Sequence, residues 1–302
     1  MKAVIFGAGN DGKVLKKGLE KHYEICICAI CDNDADKWGS MVDDIEVISP
    51  QKLMQIDFEK IFICTSNAFW FREIEAQLKN MGVPDEKIVI MKTDSTYMDA
   101  YIEYDPVRKN WIKAFAEYSR EAGLQGSTAE CGVYNGDTSV FINKYWPDRR
   151  LYLFDTFEGF TDEDIAHDSG MFCEFKNGYF TENPFKVDSP ALLTEIVRAR
   201  MPYPEHIKIH KGYFPESAEG VKDKFCFVSL DMDLYQPQLE GLRFFWDKME
   251  TGGIILLHDY FHPLLPGVRE AVVDFEKESG YVLSKFPIGD NCSLAVIKTS
   301  ES

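Results

Sequence analysis

The sequence predicts an α/β protein of two Rossmann-like domains, each built on a parallel sheet, from three observations. Strand-like and helix-like runs alternate from the first residues, a glycine turn follows at once on one strand in each half, and the alternation restarts after a polar interval. In the first half, Ala3 to Phe6 reads as a strand and Asp11 to about Lys21 as a helix. Strands follow at Ile25 to Cys31, Ile45 to Ser49 and Lys60 to Cys64, then a helix from Phe69 to Met81 and a strand from Lys87 to Met91. These make a small Rossmann-like domain of residues 1–92. A polar stretch with Trp111, Phe115 and Tyr118 at helical spacing predicts a helical linker over 93–125.

The second alternation spans 126–302, with strands at Thr128 to Cys131, Leu151 to Phe154, Ile207 to His210, Phe225 to Leu230 and Ile254 to Leu257. Two further runs, Tyr281 to Phe286 and Ser293 to Ile297, lie close in sequence, so an antiparallel strand is expected near the C-terminus. Between the second and third of these strands, Thr156 to His206 is rich in aromatics and acids, including Met171 to Phe175 and Tyr179-Phe180. So long an excursion at that point of an open sheet predicts a functional lid.

With 45% hydrophobic and 27% charged residues, the 302-residue chain has the composition of a soluble globular protein, which excludes disordered, collagen-like and disulfide-miniprotein classes. The net charge is −17, divided as −5 before residue 126 and −12 after it, so neither half offers a cationic face and neither nucleic acid nor anionic membrane is an expected partner. No apolar run approaches the roughly 18 residues that span a bilayer, and the first strand runs directly into a glycine turn, so a cytoplasmic location is expected. The eight cysteines sit in apolar segments, and Cys28-x-x-Cys31 closes a strand without a second ligand pair, so neither zinc nor redox duty is assigned to it.

Gly7-Ala8-Gly9-Asn10-Asp11-Gly12 is a G-x-G-x-x-G between a strand and a helix. There Gly7, Gly9 and Gly12 would bring backbone amides to a pyrophosphate at the positive end of the helix. Asp32, at the end of the next strand, could accept from a ribose hydroxyl; the same turn is also needed simply to pack helix on strand. With Cys31-Asp32-Asn33-Asp34 and Val47-Ile48-Ser49-Pro50, the segment resembles the small Rossmann-like domain at the front of sugar-modifying enzymes, including bacterial sialic-acid-type and nucleotide-sugar acetyltransferases. That resemblance implies a nucleotide or nucleotide-sugar ligand.

The second glycine turn, Glu130-Cys131-Gly132-Val133-Tyr134-Asn135-Gly136, carries an acid at the strand end, and the next strand ends in Asp155. Glu130 beside Gly132 and Gly136 suits a ligand with a cationic centre, and Asp155 suits a ribose diol; together they point to a positively charged nucleoside such as S-adenosylmethionine. Asp231 and Asp233 close the fourth strand, and His258 and Asp259 the fifth, so all four are expected at one crevice. The plainer alternative is that Asp233 caps the helix from Pro237 and that His258 or Asp259 satisfies loop amides. Four ionisable groups at one mouth call for a cation, a proton or a substrate in compensation.

In order along the chain, Glu130 to Val133, Leu153 to Phe160, Lys211 to Ser217, Asp231 to Tyr235, Gly252-Gly253, His258 to Tyr260 and Pro266 to Val272 resemble the macrocin O-methyltransferase family. The resemblance covers about residues 126–297. It implies a class I methyltransferase fold, S-adenosylmethionine as donor and a sugar hydroxyl as acceptor, often with magnesium. It further implies that Glu130 and Gly132 hold the methionine portion, Asp155 the ribose, and Asp231 and Asp259 the metal. The chain departs from the family where His258 precedes Asp259 in place of a second acid; magnesium prefers oxygen ligands, so this imidazole is instead a candidate general base. The catalytic candidates are therefore Asp231 and His258.

Two rival readings remain. One is a nucleotide-sugar oxidoreductase or epimerase centred on the first glycine turn, for which Tyr281-x-x-x-Lys285 has a suitable spacing but a strand-like pattern. The other is a non-catalytic module that binds nucleotide sugars. The acceptor sugar stays open, as does assembly into a homo-oligomer, and the other histidines show no ligand spacing.

Overall fold

A computed structural model describes residues 1–65, 70–171, 185 and 189–300. The chain divides into two compact units, Met1–Pro106 and Val107–Ser302. The first contains β1 (Lys2–Phe6), α1 (Asn10–Tyr23), β2 (Cys26–Cys31), β3 (Met41–Val42), β4 (Ile45–Ile48), α2 (Pro50–Leu53), β5 (Lys60–Ile63), α3 (Phe71–Asn80) and β6 (Ile88–Ile90). Its sheet runs β3-β4-β2-β1-β5-β6, parallel throughout except where β3 pairs antiparallel with β4. The short β3 and α2 carry too few residues to show a period, which is why sequence patterning passes over them. The loop 66–69, with Asn67 to Phe69 and the first residue of the expected helix, lies outside the described residues.

The expected linker 93–125 is shared between the units. Met98–Tyr104 forms 3-10 turns against α1, where a Cβ on Gly18 would lie 2.0 Å from the carbonyl oxygen of Ala100, so this crossing requires glycine. The remainder is α4 (Pro106–Glu121), whose Phe115 packs against Phe227 and Trp146 at ring-centroid distances of 6.0 and 6.2 Å.

The second unit continues with β7 (Ser127–Cys131), α5 (Ser139–Tyr145), β8 (Leu151–Asp155), α6 (Asp162–Met171), α7 (Pro190–Arg200), β9 (Ile207–Lys211), β10 (Phe225–Leu230), α8 (Tyr235–Trp246), β11 (Met249–Leu257), α9 (Pro266–Ser279), β12 (Ser284–Pro287) and β13 (Leu294–Ile297). The sheet order is β12-β13-β11-β10-β7-β8-β9, with β13 antiparallel to both of its neighbours. The last hairpin is therefore antiparallel as expected. Its first strand starts at Ser284, because Tyr281 instead packs its ring on Trp246 and Phe275, and Leu283 donates its N–H to Glu276.

The central strands β7, β8 and β10 bury both faces, as a sheet covered by helices must, while the edge strands β9 and β12 are more exposed. On one face Val228, Leu230, Leu239, Leu242, Phe245, Val272 and Phe275 form a continuous core under α8 and α9. At about 1.5–3 kcal/mol for each large apolar side chain removed from water, this face is a main source of the unit's stability. The order of the strands also opens a crevice. They progress outward from β7 to β8 and β9 on one side, then return to β10 and β11 on the other, so the order reverses between β7 and β10 and leaves a gap above their carboxyl ends.

Candidate functional site

Around that reversal, the tips of β7, β8, β10 and β11 enclose one cavity of about 480 Å³. Glu130, Gly132, Asp155, Asp231, Asp233, His258 and Asp259 all line it. Gly132 has φ +83°, and a Cβ there would lie 1.8 Å from the carbonyl oxygen of Asp231, so only glycine lets the two strand tips meet this closely. Gly136 sits behind the turn, against Val197 and Met201 of the α7 end. The turn is also held from α7 by the buried Arg200, which donates to the carbonyl of Asn135 and pairs with Asp137, each at 2.7 Å.

Asp155, expected to hold a ribose, first holds the turn itself. Its Oδ2 accepts the N–H groups of Val133 and Tyr134 at 2.6 and 2.7 Å, and its Oδ1 that of Phe157 at 2.6 Å. Burial pushes its pKa up, with those three amides pulling against the shift. Glu130 is fully buried and accepts from Ser139 Oγ. Burial, with Asp231 nearby, pushes it up to about 8, so its carboxyl holds a proton at neutral pH until a cation approaches.

The remaining acids form a chain of ion pairs. Arg108 on α4 donates through Nη1 to Asp231 Oδ2 at 3.0 Å and through Nη2 to Thr138 Oγ1 at 3.0 Å. The other Asp231 oxygen lies 2.9 Å from His258 Nδ1, which also lies 2.7 Å from Asp259 Oδ2, and Cys292 Sγ donates to Asp259 Oδ1 at 3.3 Å. Burial alone would raise Asp231 and Asp259, but His258 more than offsets it and both lie below the usual carboxylate range. Burial likewise works against a charged His258, yet Asp231 and Asp259 hold its pKa well above the ordinary value. His258 thus stands between two carboxylates as their counter-cation. Asp233 moves the opposite way: burial and the flanking Asp259 and Asp231 raise it well above the usual range.

Backbone strain gathers here as well. Of seven described non-glycine residues with positive φ, four line this cavity: Tyr134, Phe157, Asp233 and Asp259. Each costs on the order of 1 kcal/mol or more, and such residues cluster where a site dictates the geometry. Opposite the acids the wall is aromatic, with Phe185 edge-on to Tyr134 at 5.2 Å and to Phe160 at 5.3 Å. Tyr213 donates to Asp164 at 2.9 Å beside it. Residues 172–184 and 186–188 of the expected lid, with Phe172 to Phe175, Tyr179 and Phe180, lie outside the described residues.

Two residues, Arg108 and Asp168, escape sequence reasoning. Arg108 lies within the expected linker, although it falls in helical register with the buried Ile112, Phe115 and Ser119, and a charge on an apolar stripe is a usable signal. Asp233 lines the crevice where it is expected; against the plainer alternative of a helix cap, α8 begins at Tyr235, and the N–H there goes to Asp168 of α6 at 3.1 Å. Asp168 itself carries no local signal, since its partner is 67 residues away. Lys285 of the rival Tyr-x-x-x-Lys lies on β12 and pairs with Glu276.

In the first unit, Asp32 also braces its own turn, accepting from Ala8 N–H at 2.8 Å, Asp34 N–H at 2.8 Å and Lys37 Nζ at 3.1 Å. A Cβ on Gly7 would lie 1.9 Å from the Cys64 carbonyl oxygen, and one on Gly12 1.9 Å from that of Gly7, whereas one on Gly9 would meet nothing within 4 Å.

Residues 106–288 match the family described as macrocin O-methyltransferase (TylF), and residues 1–89 match one described as C2185-like, N-terminal. A curated relative from Streptomyces olivaceus, 8-demethyl-8-(2,3-dimethoxy-α-L-rhamnosyl)-tetracenomycin-C 4′-O-methyltransferase, is 25% identical over 171 residues, which is 52% of this chain and 60% of that protein. The chain thus spans about 60% of the length of that relative. Among solved structures, the O-methyltransferase NovP is similar with a TM-score of 0.55 at 20% identity, over 64% of this chain and 80% of that one. The calicheamicin methyltransferase CalS11 is similar with a TM-score of 0.52 at 17% identity, over 77% of this chain and 94% of that one. Both likenesses show the fold. Among the described residues, no helix is long and apolar enough to cross a membrane.

Proposed function

The chain belongs to the macrocin O-methyltransferase family, and from that membership we propose that its second unit methylates a hydroxyl of a sugar or glycoside with S-adenosylmethionine as donor. One observation carries this reading: Glu130, Asp155, Asp231 and Asp259, from the tips of four strands, line one cavity. S-adenosylmethionine, when bound, supplies an electrophilic methyl on a sulfonium. The donor set suits it, because a buried carboxyl with a pKa near 8 gains most from a cationic partner. Glu130 and the Gly132–Gly136 turn would hold the methionine end, and Asp155 would accept from the ribose with the acceptor capacity that the turn leaves it. The aromatic wall at Tyr134, Phe160 and Phe185 would exclude water from the acceptor.

Methyl transfer by in-line displacement needs alignment and removal of one proton. Asp231, kept ionised by His258 and Arg108, would draw the acceptor hydroxyl by hydrogen bonding. Asp231, being ionised, would also accept the proton. Asp231, Asp233 and Asp259, with ligand atoms within 4.8 Å of one another, fit a divalent cation, which would lower the pKa of that hydroxyl.

For the first unit we infer a nucleotide or nucleotide sugar at the Gly7–Gly12 turn. The support is Gly9, the one glycine of the three that packing does not demand. Both parts are tested by calorimetry with S-adenosylmethionine, NAD and UDP-sugars, followed by transfer of labelled methyl to a panel of nucleotide sugars and glycosides. Saturable S-adenosylmethionine binding with label on a sugar oxygen is expected; NAD binding without S-adenosylmethionine binding would support the oxidoreductase instead.

A further inference from the structure

The crevice lies at the carboxyl ends of the strands; another cavity, of about 510 Å³, opens at the amino ends of β7 and β8. Its lining comes from the last turn of α4, the loop that leads into β7 and the residues just before β8, about 16 Å of strand away from the crevice. Three guanidinium groups meet there: Arg120 from α4, and Arg149 and Arg150 from the approach to β8. In a chain of net charge −17, three cations around one cavity run against the average, and they repel one another unless an anion answers them.

The protein supplies only part of that answer. Arg150 pairs with Asp223 at 3.0 Å. Arg149 instead donates to the carbonyls of Leu124 and Gly126 and to Cys226 Sγ, and Arg120 donates to the carbonyl of Tyr145. These partners fix the two groups in place without neutralising them. Among the described residues neither Arg120 nor Arg149 has a carboxylate oxygen within 4.0 Å, and Asp148, the one acid of the lining, is exposed and pairs with neither. A guanidinium carries five N–H donors, so the one bond that Arg120 makes leaves most of them open to a ligand.

We propose that Arg120, Arg149 and Arg150 form a binding site for a phosphate-bearing small molecule. The planar fork of a guanidinium matches two oxygens of a phosphate at once, and Arg120 and Arg149, the two groups without a carboxylate, match the charge of a phosphate dianion. The cavity is larger than a phosphate ion and leaves room for an organic group that carries it. The site stands on this lining alone and does not depend on the transferase reading.

The test is calorimetry of the full-length protein, freed of phosphate and held at constant ionic strength, with inorganic phosphate above its second pKa and with glycerol phosphate. One saturable equivalent per chain is expected. Tighter binding of glycerol phosphate identifies an ester as the ligand and tighter binding of inorganic phosphate the free ion; either supports the site. Arg120→Gln should weaken binding by at least about tenfold, the scale of one charge-assisted hydrogen bond, and should leave the melt of the phosphate-free protein unchanged. Arg149→Gln should weaken it as much; because Arg149 also braces Leu124 and Gly126, the exposed Arg120 is the deciding position. Asp148→Asn removes a negative charge from the lining and should tighten binding several-fold. The site is overturned by the lack of saturable binding, or by binding that Arg120→Gln and Arg149→Gln leave intact, which would place the phosphate elsewhere, such as the Gly7–Gly12 turn. Weaker binding in Asp148→Asn overturns it too, since an anion site gains when an acid is removed. S-adenosylmethionine affinity should be the same in Arg120→Gln and wild type; a matching fall in both affinities would assign the loss to the fold and overturn the site.

Discussion

Arg108 Nη1 donates to Asp231 Oδ2 at 3.0 Å across 123 residues of sequence, so a helix that precedes the sheet places a fixed cation on the carboxylate at its central crevice. With His258 on the other oxygen, Asp231 is clamped in one orientation and kept ionised. Asp231→Asn keeps the shape and removes the charge, so kcat should fall by about 10²–10⁴-fold, the range for a residue acting on the transferred proton, with S-adenosylmethionine affinity little changed. Arg108→Gln leaves Asp231 in place but loosens it and should cost roughly tenfold in kcat, through lost positioning. Steady-state kinetics with calorimetry separates the two effects. Near-normal turnover by Asp231→Asn would exclude the carboxylate from the chemistry.

Glu130 gives donor binding a pH signature. Burial pushes its pKa up to about 8, so below that pH a cationic ligand must displace a proton in order to pair with the carboxylate. Affinity for S-adenosylmethionine should therefore strengthen as pH rises towards 8, by up to about tenfold per unit, and level off above it. Glu130→Gln should bind more weakly at pH 8 and show no such slope. Calorimetry in buffers of different ionisation enthalpy reads the released proton directly; no proton release in wild type would mean that Glu130 does not meet the positive centre.

Much of this was legible because the sequence signals are local. A strand that runs into Gly132, or into Asp155, shows its turn chemistry within a few residues, and the alternation of apolar runs gives the parallel sheet, while its strand order appears only in the fold. The jobs of Asp155 and Asp32 were less legible. Both stand at strand tips where a ribose is commonly held, yet each carboxylate is taken first by backbone N–H groups of the preceding glycine turn. A carboxylate after a strand looks the same in sequence whether it braces a loop or a ligand. Arg108 shows only as a charge on an apolar stripe, and Asp168 and Cys292 not at all, since the partners Asp231, Tyr235 and Asp259 lie far along the chain and only the folded sheet brings them together.

The first unit carries a stability prediction of its own. Glu103 has a buried side chain that meets Lys17 at 2.8 Å, Lys21 at 2.6 Å and His22 at 3.0 Å, fastening Met98–Tyr104 to α1. Lys17, Lys21 and His22 draw its pKa down to about 2 against its burial. A depressed carboxylate pKa stabilises the fold above the unfolded value near 4.5 and loses that stabilisation as pH falls through about 2. Because Lys17 and Lys21 are largely exposed, screening reduces the effect, and Glu103→Gln should cost about 1–2 kcal/mol at pH 7. At pH 2 variant and wild type should converge. Denaturant titration at the two pH values checks this; an equal deficit at both would assign the loss to packing.

Asp168 behaves in the opposite sense. Its side chain is buried between α6 and the start of α8, accepting Tyr235 N–H at 3.1 Å, and it stands so close to α9 that a Cβ on Gly267 would lie 2.5 Å from Oδ2. Burial raises its pKa to about 6, although Tyr235 N–H and His167 pull it down, while Asp164 adds to the rise. A raised folded pKa means that the neutral carboxyl suits the site. Its stabilisation is fully present below about pH 4 and is lost as pH rises through about 6, a difference of about 2–3 kcal/mol at neutral pH. Asp168→Asn keeps an oxygen for Tyr235 N–H without the charge. At pH 7 it should raise Tm by several degrees, at about 2–4 °C per kcal/mol for a unit of this size, and at pH 4 it should leave Tm unchanged. A destabilised variant at pH 7 would show that the carboxylate's charge at the α8 N-terminus outweighs the cost of burying it.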